Sequence, residues 1–174
     1  MAYGVLAYPA ISEKDYRGIQ TFRKAHDELY FSVAEPHFAF VFPVFDVDRE
    51  SFIREVSEKA KGVRQIDFEI RCSTVNKDAF LDYFHLLLVP DQGYSAIVKL
   101  HDRLYSGLLF GNLRLDIDFI PHVGIANSKD SLAVKRWADQ WNQEDFLIKG
   151  SIEKLTIIEY TDNILTNLED IDLL

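Results

Sequence analysis

The sequence has little of what marks several large classes of protein. Among its 174 residues there is one cysteine, Cys72, so no internal disulfide can form, and a free thiol is typical of a reducing compartment. We predict a small, buried core residue at that position. No apolar run approaches the roughly 18 residues that cross a bilayer, and the first 12 residues carry no Lys or Arg, unlike a secretory signal. These absences predict a cytoplasmic protein that does not bind membranes.

Basic residues are also in deficit. There are 19 Lys and Arg against 28 Asp and Glu, a net charge of −9. The chain therefore lacks the basic field that coating duplex DNA requires, although a small phosphate ligand in a local pocket remains compatible with it. The 13% aromatic share excludes a disordered polyanion. A single domain of this length buries about 70% of its unfolded surface, enough for a proper core.

Two kinds of binding motif are missing as well. Gly107 and Gly111 are too sparse for the glycine-rich loops of Rossmann or P-loop proteins. There is no His-Glu-x-x-His motif and no cysteine pair with zinc-ligand spacing. We therefore expect no metal and no cofactor.

Hydrophobic periodicity predicts strands interspersed with four helices. The predicted strands span residues 3–9, 37–44, 65–74, 80–89, 112–119 and 122–126, with at least one more within 148–160. The predicted helices span residues 12–30, 48–61, 94–105 and 130–143, and residues 169–174 form a frayed acidic tail. Alternating strands, few long helices and a central hairpin predict an antiparallel α+β domain.

One short motif occurs twice. Pro36-His37-Phe38-Ala39-Phe40 and Pro121-His122-Val123-Gly124-Ile125 share the order Pro, His, apolar, very small, apolar, and their histidines lie 85 residues apart. Each copy follows a predicted helix, lies on a predicted strand and precedes an amphipathic helix. This repetition predicts one domain, residues 1–174, made of two intertwined lobes that each contribute one histidine to a shared cleft.

Strand periodicity assigns these side chains to faces. Residues i and i+2 share a face, so His37 lies with Ala39 and His122 with Gly124, whereas Phe38, Phe40 and Phe42 point to the core. A single strand histidine is more often structural than catalytic, and the duplication is what favours catalysis. Two facing imidazoles can act as general base and general acid on a phosphodiester without a metal.

These motifs resemble the 2H phosphoesterase superfamily, which includes 2′-5′ RNA ligase-like proteins and cyclic phosphodiesterases. Its signature is two copies of His, apolar, Thr or Ser, apolar. The resemblance implies a bilobal fold with pseudo-two-fold related antiparallel sheets, flanking helices and a central cleft. It implies that His37 and His122 are the acid and base. The implied substrate is a small nucleotide or RNA-end phosphodiester: a 2′,3′-cyclic phosphate, a 2′-5′ linkage or ADP-ribose cyclic phosphate.

The sequence departs from that signature where the family has its phosphate-binding hydroxyls. Those positions are Ala39 and Gly124, so both side-chain donors are absent. Backbone amides, Arg71, Arg114 or Ser128 are the candidates to replace them in binding substrate. The alternative is a nucleotide- or RNA-end-binding module on the same fold that has weakened or no catalysis. In either case we expect a monomer.

The other polar and aromatic candidates receive structural interpretations. We assign His85 to the core or to the rim of the cleft, with a third cleft residue as the alternative. Asp116 and Asp118 could orient a cleft histidine, but the solvent side of an alternating strand is favoured. The remaining candidates are surface histidines or helix-packing tryptophans: His26, His101, Trp137 and Trp141.

Overall fold

The computed structural model describes residues 1–174 and contains four α-helices, nine β-strands and one 3₁₀ helix. The helices are α1 (Glu13–His26), α2 (Arg49–Ala60), α3 (Tyr94–Leu104) and α4 (Ser131–Gln143), and the 3₁₀ helix spans Gly107–Asn112. The strands are β1 (Ala2–Ala7), β2 (Ala10–Ile11), β3 (Phe38–Val44), β4 (Ile66–Lys77), β5 (Phe84–Gln92), β6 (Val123–Ser128), β7 (Ile148–Ile152), β8 (Lys154–Thr161) and β9 (Ile164–Asp172).

The strands form two sheets in which every neighbouring pair is antiparallel. The first sheet has the order β3-β1-β8-β9, and the second has the order β2-β7-β4-β5-β6. The strands of the two histidine motifs, β3 and β6, are each the outermost strand of their sheet. The predicted α+β class with antiparallel sheets is therefore confirmed.

Side chains from both sheets meet in one apolar core. Phe38 of the first sheet contacts Phe68 of the second edge to face, with ring centroids 5.2 Å apart. Every residue of β1 is buried, as expected for a strand covered on both faces. Around the sheets, α1 packs against β6, α4 against β4, and α3 against β3.

Three predicted helix starts are confirmed by their capping hydrogen bonds. The side chain of Ser12 accepts from the N–H of Asp15 at 3.1 Å, and Asp48 accepts from the N–H of Ser51 at 2.9 Å. Asp130 likewise accepts from the first free amides of α4. Each cap satisfies an amide that has no partner inside its helix.

The strand predicted over residues 112–119 is wrong. The 3₁₀ helix is followed by a loop over residues 113–122. Short-range hydrogen bonds, such as Leu115 N–H to the Leu113 carbonyl and Ile117 N–H to the Arg114 carbonyl, fold the backbone on itself. Leu115, placed on the apolar side by the alternation, is 88% exposed. No neighbouring strand pairs with this segment, so its alternation does not produce a strand.

The prediction that Cys72 is buried is also wrong, because the thiol is exposed. The pairing of β4 with β5 shifts register around Ile70 and Cys72. A bulge of this kind adds one residue to a strand and reverses which side chains face the core. Downstream of the bulge Ser73 is buried, and Cys72 and Thr74 are exposed.

The acidic end of the chain is ordered rather than frayed. Residues 169–172 belong to β9, which pairs with β8. Asp170 accepts from Thr156 at 2.6 Å and pairs with Lys154. The backbone of Leu174 hydrogen-bonds to Gln65 and Val63. The acidic composition of this segment therefore reflects exposed side chains on an edge strand rather than a disordered tail.

Two histidines predicted on the surface are partly or wholly inside the protein. His101 is 3% exposed, with its ring stacked on Phe119 at 3.6 Å. His26 is half-buried between Phe22 and Trp137. Loop 113–122 covers the first, and α4 covers the second. The packing role predicted for the tryptophans of α4 is confirmed, since both contact Phe22 edge to face.

Candidate active site

The two motif histidines occupy equivalent positions. His37 directly precedes β3 and His122 directly precedes β6, and both are half-buried. The Nδ1 of His37 lies 2.7 Å from the carbonyl oxygen of Glu35, and the Nδ1 of His122 lies 2.5 Å from that of Ile120. In both copies, therefore, the imidazole is held by the carbonyl two residues earlier.

These hydrogen bonds determine the tautomer of each ring. A carbonyl oxygen only accepts, so Nδ1 must carry the proton in both histidines. In the neutral ring, Nε2 then has a free lone pair and can accept a proton. Both motif histidines are prepared as bases in the same way.

Burial lowers the pKa of both imidazoles, because a charged ring loses hydration. For His122 the pKa falls to about 4: burial is the main cause, the Ile120 carbonyl opposes it, and nearby His37 and His85 lower it further. Both rings are therefore neutral at pH 7 in the free protein.

Acidification should destabilise the fold through His122. An unfolded histidine titrates near the ordinary pKa of 6.5, whereas folded His122 takes up its proton only near pH 4, so the unfolded state binds more protons between these values. Between pH 7 and pH 5 we expect the free energy of unfolding to decrease by about 2 kcal/mol because of this ring. Urea unfolding of the wild type and His122→Gln across this range measures it. Equal losses in the two proteins would contradict the prediction.

A cavity of about 400 Å³ opens between the two sheets beside these histidines. His122 and the two small motif residues, Ala39 and Gly124, lie in its wall. His37 lies beside the cavity rather than in its wall: its ring meets Tyr8 edge to face at 6.3 Å, and it is near enough to His122 to contribute to the lowered pKa of that residue. The structure thus brings both halves of the repeat to one place.

Much of the cavity wall is aromatic, which the sequence pattern did not predict. Its aromatic residues are Tyr30, Phe42, Phe80 and Phe119. Strand alternation predicts that Phe42 points to the core. The pairing of β1 with β3 shifts register between Val5 and Leu6, and Val41 is buried instead of Phe42. Tyr30 follows the end of α1, which is shorter than predicted.

The predicted phosphate-binding side chains do not converge. Arg71 pairs with Glu69 and Asp91 on an exposed face away from the cavity. Ser128 lies at the far end of β6, where its hydroxyl accepts from the N–H of Asp130 at 3.1 Å. Of the three predicted side chains, only Arg114 lines the cavity.

Arg114 already has partners. Its guanidinium donates to both oxygens of Asp116 at 2.8 and 2.7 Å and lies 4.9 Å from the ring centroid of Phe80. Asp118 lines the cavity, but neither aspartate lies on a strand as predicted. The Arg114–Phe80 contact joins loop 113–122 to the turn between β4 and β5 at the cavity.

His85 is the third histidine at this site. It lies in the cavity wall, where its Nε2 is 2.7 Å from Oδ2 of Asp78. The rim position and the third cleft residue were both open from the sequence. Its strand, β5, begins at Phe84 rather than at residue 80, so Asp78 lies in the turn and faces back to His85.

A buried ionic network supports the loop that carries Tyr30 and the Glu35 carbonyl. Arg23 donates to Asp27 at 2.9 Å and to the carbonyls of Tyr30 and Ala34. Asn127 of β6 donates to Asp27 at 2.5 Å. The loop before the first histidine is thereby tied to the strand that follows the second.

The family model of the 2′-5′ RNA ligase superfamily matches residues 9–164. The chain belongs to this superfamily. The 2H resemblance drawn from the two histidine motifs is thus confirmed. No curated protein sequence matches the chain significantly.

Solved structures of members of the superfamily share the fold. TT0787 of Thermus thermophilus aligns with a TM-score of 0.64 at 11% identity, covering 99% of this chain and 98% of that one. E. coli LigT in complex with 3′-AMP aligns with a TM-score of 0.58 at 13% identity, covering 99% and 97%. Usb1 of Kluyveromyces marxianus gives 0.56 at 7%, covering 96% and 97%. At these identities the likeness establishes the fold alone.

No helix combines the length and apolar composition needed to span a membrane. The fold brings together no group of three His, Cys, Asp or Glu side chains that could hold a metal ion.

Proposed function

We propose that this member of the superfamily is a metal-independent phosphoesterase that uses His37 and His122 as its acid–base pair. The observation that carries the proposal is the matched pair of carbonyl-held imidazoles, one at the outer strand of each sheet, beside one cavity. Both rings have Nε2 free for proton transfer. Hydrolysis of a phosphodiester needs a base that takes a proton from water and an acid that protonates the leaving oxygen, and two such rings can supply both.

In the hydrolysis of a 2′,3′-cyclic phosphate, one ring takes a proton from water through Nε2. The water oxygen bonds to phosphorus while the phosphorus–oxygen bond to one ribose oxygen breaks. The other ring, as imidazolium, gives its proton to that leaving oxygen, and the product is a ribose monophosphate. Because both rings are neutral in the free protein, the acid must gain its proton when the anionic phosphate binds and raises its pKa.

The dimensions and lining of the cavity favour a small nucleotide or the end of an RNA. A volume of about 400 Å³ is at the lower end of the range for small-molecule sites, which suits a mononucleotide better than a long strand. Its aromatic rings offer faces on which a base can stack. Structures of E. coli LigT contain 3′-AMP, NADP+ and ATP, which supports a nucleotide as the ligand.

The assay for this proposal is turnover of three substrates by the purified chain: a 2′,3′-cyclic nucleotide, a 2′-5′-linked dinucleotide and ADP-ribose cyclic phosphate. We expect hydrolysis of at least one without added metal. If none of the three is cleaved, with or without divalent metal, the catalytic proposal fails.

A binding module without turnover is the second candidate, and Ala39 and Gly124 favour it. Neither side chain can donate to a phosphate oxygen, and a lost hydrogen bond to a charged group typically costs about 1.5–3 kcal/mol. Saturable binding of 3′-AMP without cleavage of any substrate would support this candidate.

Restoring one hydroxyl tests how much its absence limits the reaction. A Cβ added at Gly124 would meet no atom within 4 Å, so the backbone and its neighbours leave room for the start of a side chain there. We expect Gly124→Ser to raise kcat/KM about tenfold through one added charge-assisted hydrogen bond. Gly111→Ser is the matched control, since Gly111 is equally open and lies outside the cavity. If both variants keep the wild-type rate, a missing hydroxyl at position 124 does not limit catalysis.

A further inference from the structure

His85 and Asp78 form a polar pair in the cavity wall that the proposed reaction does not use. Their side chains are only 15% and 14% exposed. Removing charged or polar groups from water is unfavourable unless they find partners. His85 and Asp78 are partners for each other, and their pairing holds the histidine ring in the cavity wall.

Asp78 is held in its ionised form. Its Oδ1 accepts from the N–H groups of Phe80 and Leu81 at 2.8 and 2.7 Å, and its Oδ2 contacts His85. Partial burial raises the pKa of Asp78, but these three hydrogen bonds together lower it by more, so the net pKa lies below its usual value. An ionised carboxylate only accepts, so Nε2 of His85 must carry a proton.

His85 is thus held through the opposite nitrogen from His37 and His122. A carboxylate rather than a carbonyl holds it, and its Nδ1 has no hydrogen-bond partner within the chain. That nitrogen can donate to a ligand once the ring carries a second proton. A carboxylate behind the ring stabilises the resulting imidazolium, as in catalytic triads.

The sheet places His85 on the same wall as the second motif. His85 and Leu87 both line the cavity, and Leu87 pairs with Gly124 across β5 and β6. Two residues along a strand span about 7 Å, so His85 lies about that far along the wall from the Gly124 position. It is also near enough for its charge to lower the pKa of His122.

The one arginine of the cavity wall, Arg114, is already paired. Arg114 donates to both oxygens of Asp116, whereas His85 keeps one ring nitrogen free. We propose that His85, backed by Asp78, binds a phosphoryl oxygen of the ligand. This rests on the proposed function only in taking the ligand to be a phosphate ester. The oxygen belongs either to the reacting phosphate or to a second phosphate.

The test compares ligand affinities of the wild type and His85→Gln. The glutamine amide can still donate a hydrogen bond to Asp78, so the carboxylate keeps its partner. Glutamine has no group that donates at the position of Nδ1. We expect isothermal titration with 3′-AMP or adenosine 3′,5′-bisphosphate to show roughly 10- to 100-fold weaker binding, the effect of one charge-assisted hydrogen bond. His26→Gln, a matched change outside the cavity, should bind like the wild type.

The two nucleotides separate the two sources of the oxygen. Equal weakening for both assigns His85 to the phosphate that they share, and weakening for the bisphosphate alone assigns it to a second phosphate. Unchanged affinity for both overturns the inference. Because this readout is binding, it remains valid if no substrate is turned over and the proposed catalysis fails.

Ring-nitrogen NMR gives a readout that a purely structural histidine would not show. In a ¹⁵N-labelled protein, 3′-AMP or the bisphosphate should move the Nδ1 signal of His85 toward that of a protonated nitrogen, and the signals of His26 should stay in place. If the His85 signals do not respond to a ligand that binds, the ring does not contact the phosphate.

Discussion

Replacing either His37 or His122 with alanine is expected to lower kcat for a cleavable phosphodiester about 10²- to 10⁴-fold, the usual contribution of one general acid or base. Each ring is held by a backbone carbonyl with Nε2 directed away from that bond, so its removal deletes a proton-transfer group without leaving a buried charge. KM should change much less than kcat. Steady-state kinetics on whichever substrate the wild type cleaves measures both constants.

The double variant gives a sharper result than the single ones. If the two rings act in one concerted exchange of protons, His37→Ala combined with His122→Ala should be little slower than either alone, because groups that act as a unit are not additive. His26→Ala serves as the control, since that ring packs between Phe22 and Trp137 outside the cavity. Activity that survives both motif substitutions would show that catalysis lies elsewhere.

Asp27→Ala is expected to destabilise the protein by about 3–5 kcal/mol, the range for breaking a buried ion pair by removing one partner. The side chains of Arg23 and Asp27 are 2% and 4% exposed, so the substitution leaves the guanidinium of Arg23 buried without its carboxylate partner. It also removes the acceptor for the side chain of Asn127 and for the N–H of Tyr30. Urea unfolding monitored by tryptophan fluorescence measures the change.

An exposed ion pair in the first turns of α1 provides the comparison. Glu13 and Arg17 have the same i,i+4 spacing, but their side chains are 76% and 70% exposed. Glu13→Ala should therefore cost less than about 1 kcal/mol. Asp27→Asn, which keeps an oxygen for the Tyr30 amide but loses the charge, should lie between the two. Similar losses for Asp27→Ala and Glu13→Ala would mean that water reaches the pair around Asp27.

The parts of the fold that depend on local chemistry were predictable from the sequence. Helix starts at Ser12, Asp48 and Asp130 follow from side chains that satisfy free amides within three residues. The repeated motif also predicted that His37 and His122 have equivalent positions, and each ring is held by the carbonyl two residues earlier; their role as acid and base stays a prediction.

The parts that depend on distant partners were not predictable. Bulges in β3 and β4 reversed the alternation, and so moved Phe42 to the cavity and Cys72 to the surface. Residues 112–119 alternate as a strand does, yet no other strand pairs with them. The turn between β4 and β5 brings Asp78 to His85, and the periodicity of a single strand contains no signal for such a contact.

The strand order of the first sheet has a consequence for how the chain folds. Strand β1 lies between β3, which follows it after β2 and α1, and β8, which lies close to the other end of the chain. During synthesis on the ribosome, β1 therefore cannot pair with β8 until nearly all of the chain has been made. Strands β4 and β5, joined by a short turn, can pair much earlier. High contact order of this kind predicts slow folding, in milliseconds to seconds, with the β4-β5-β6 part of the second sheet formed before either sheet is complete.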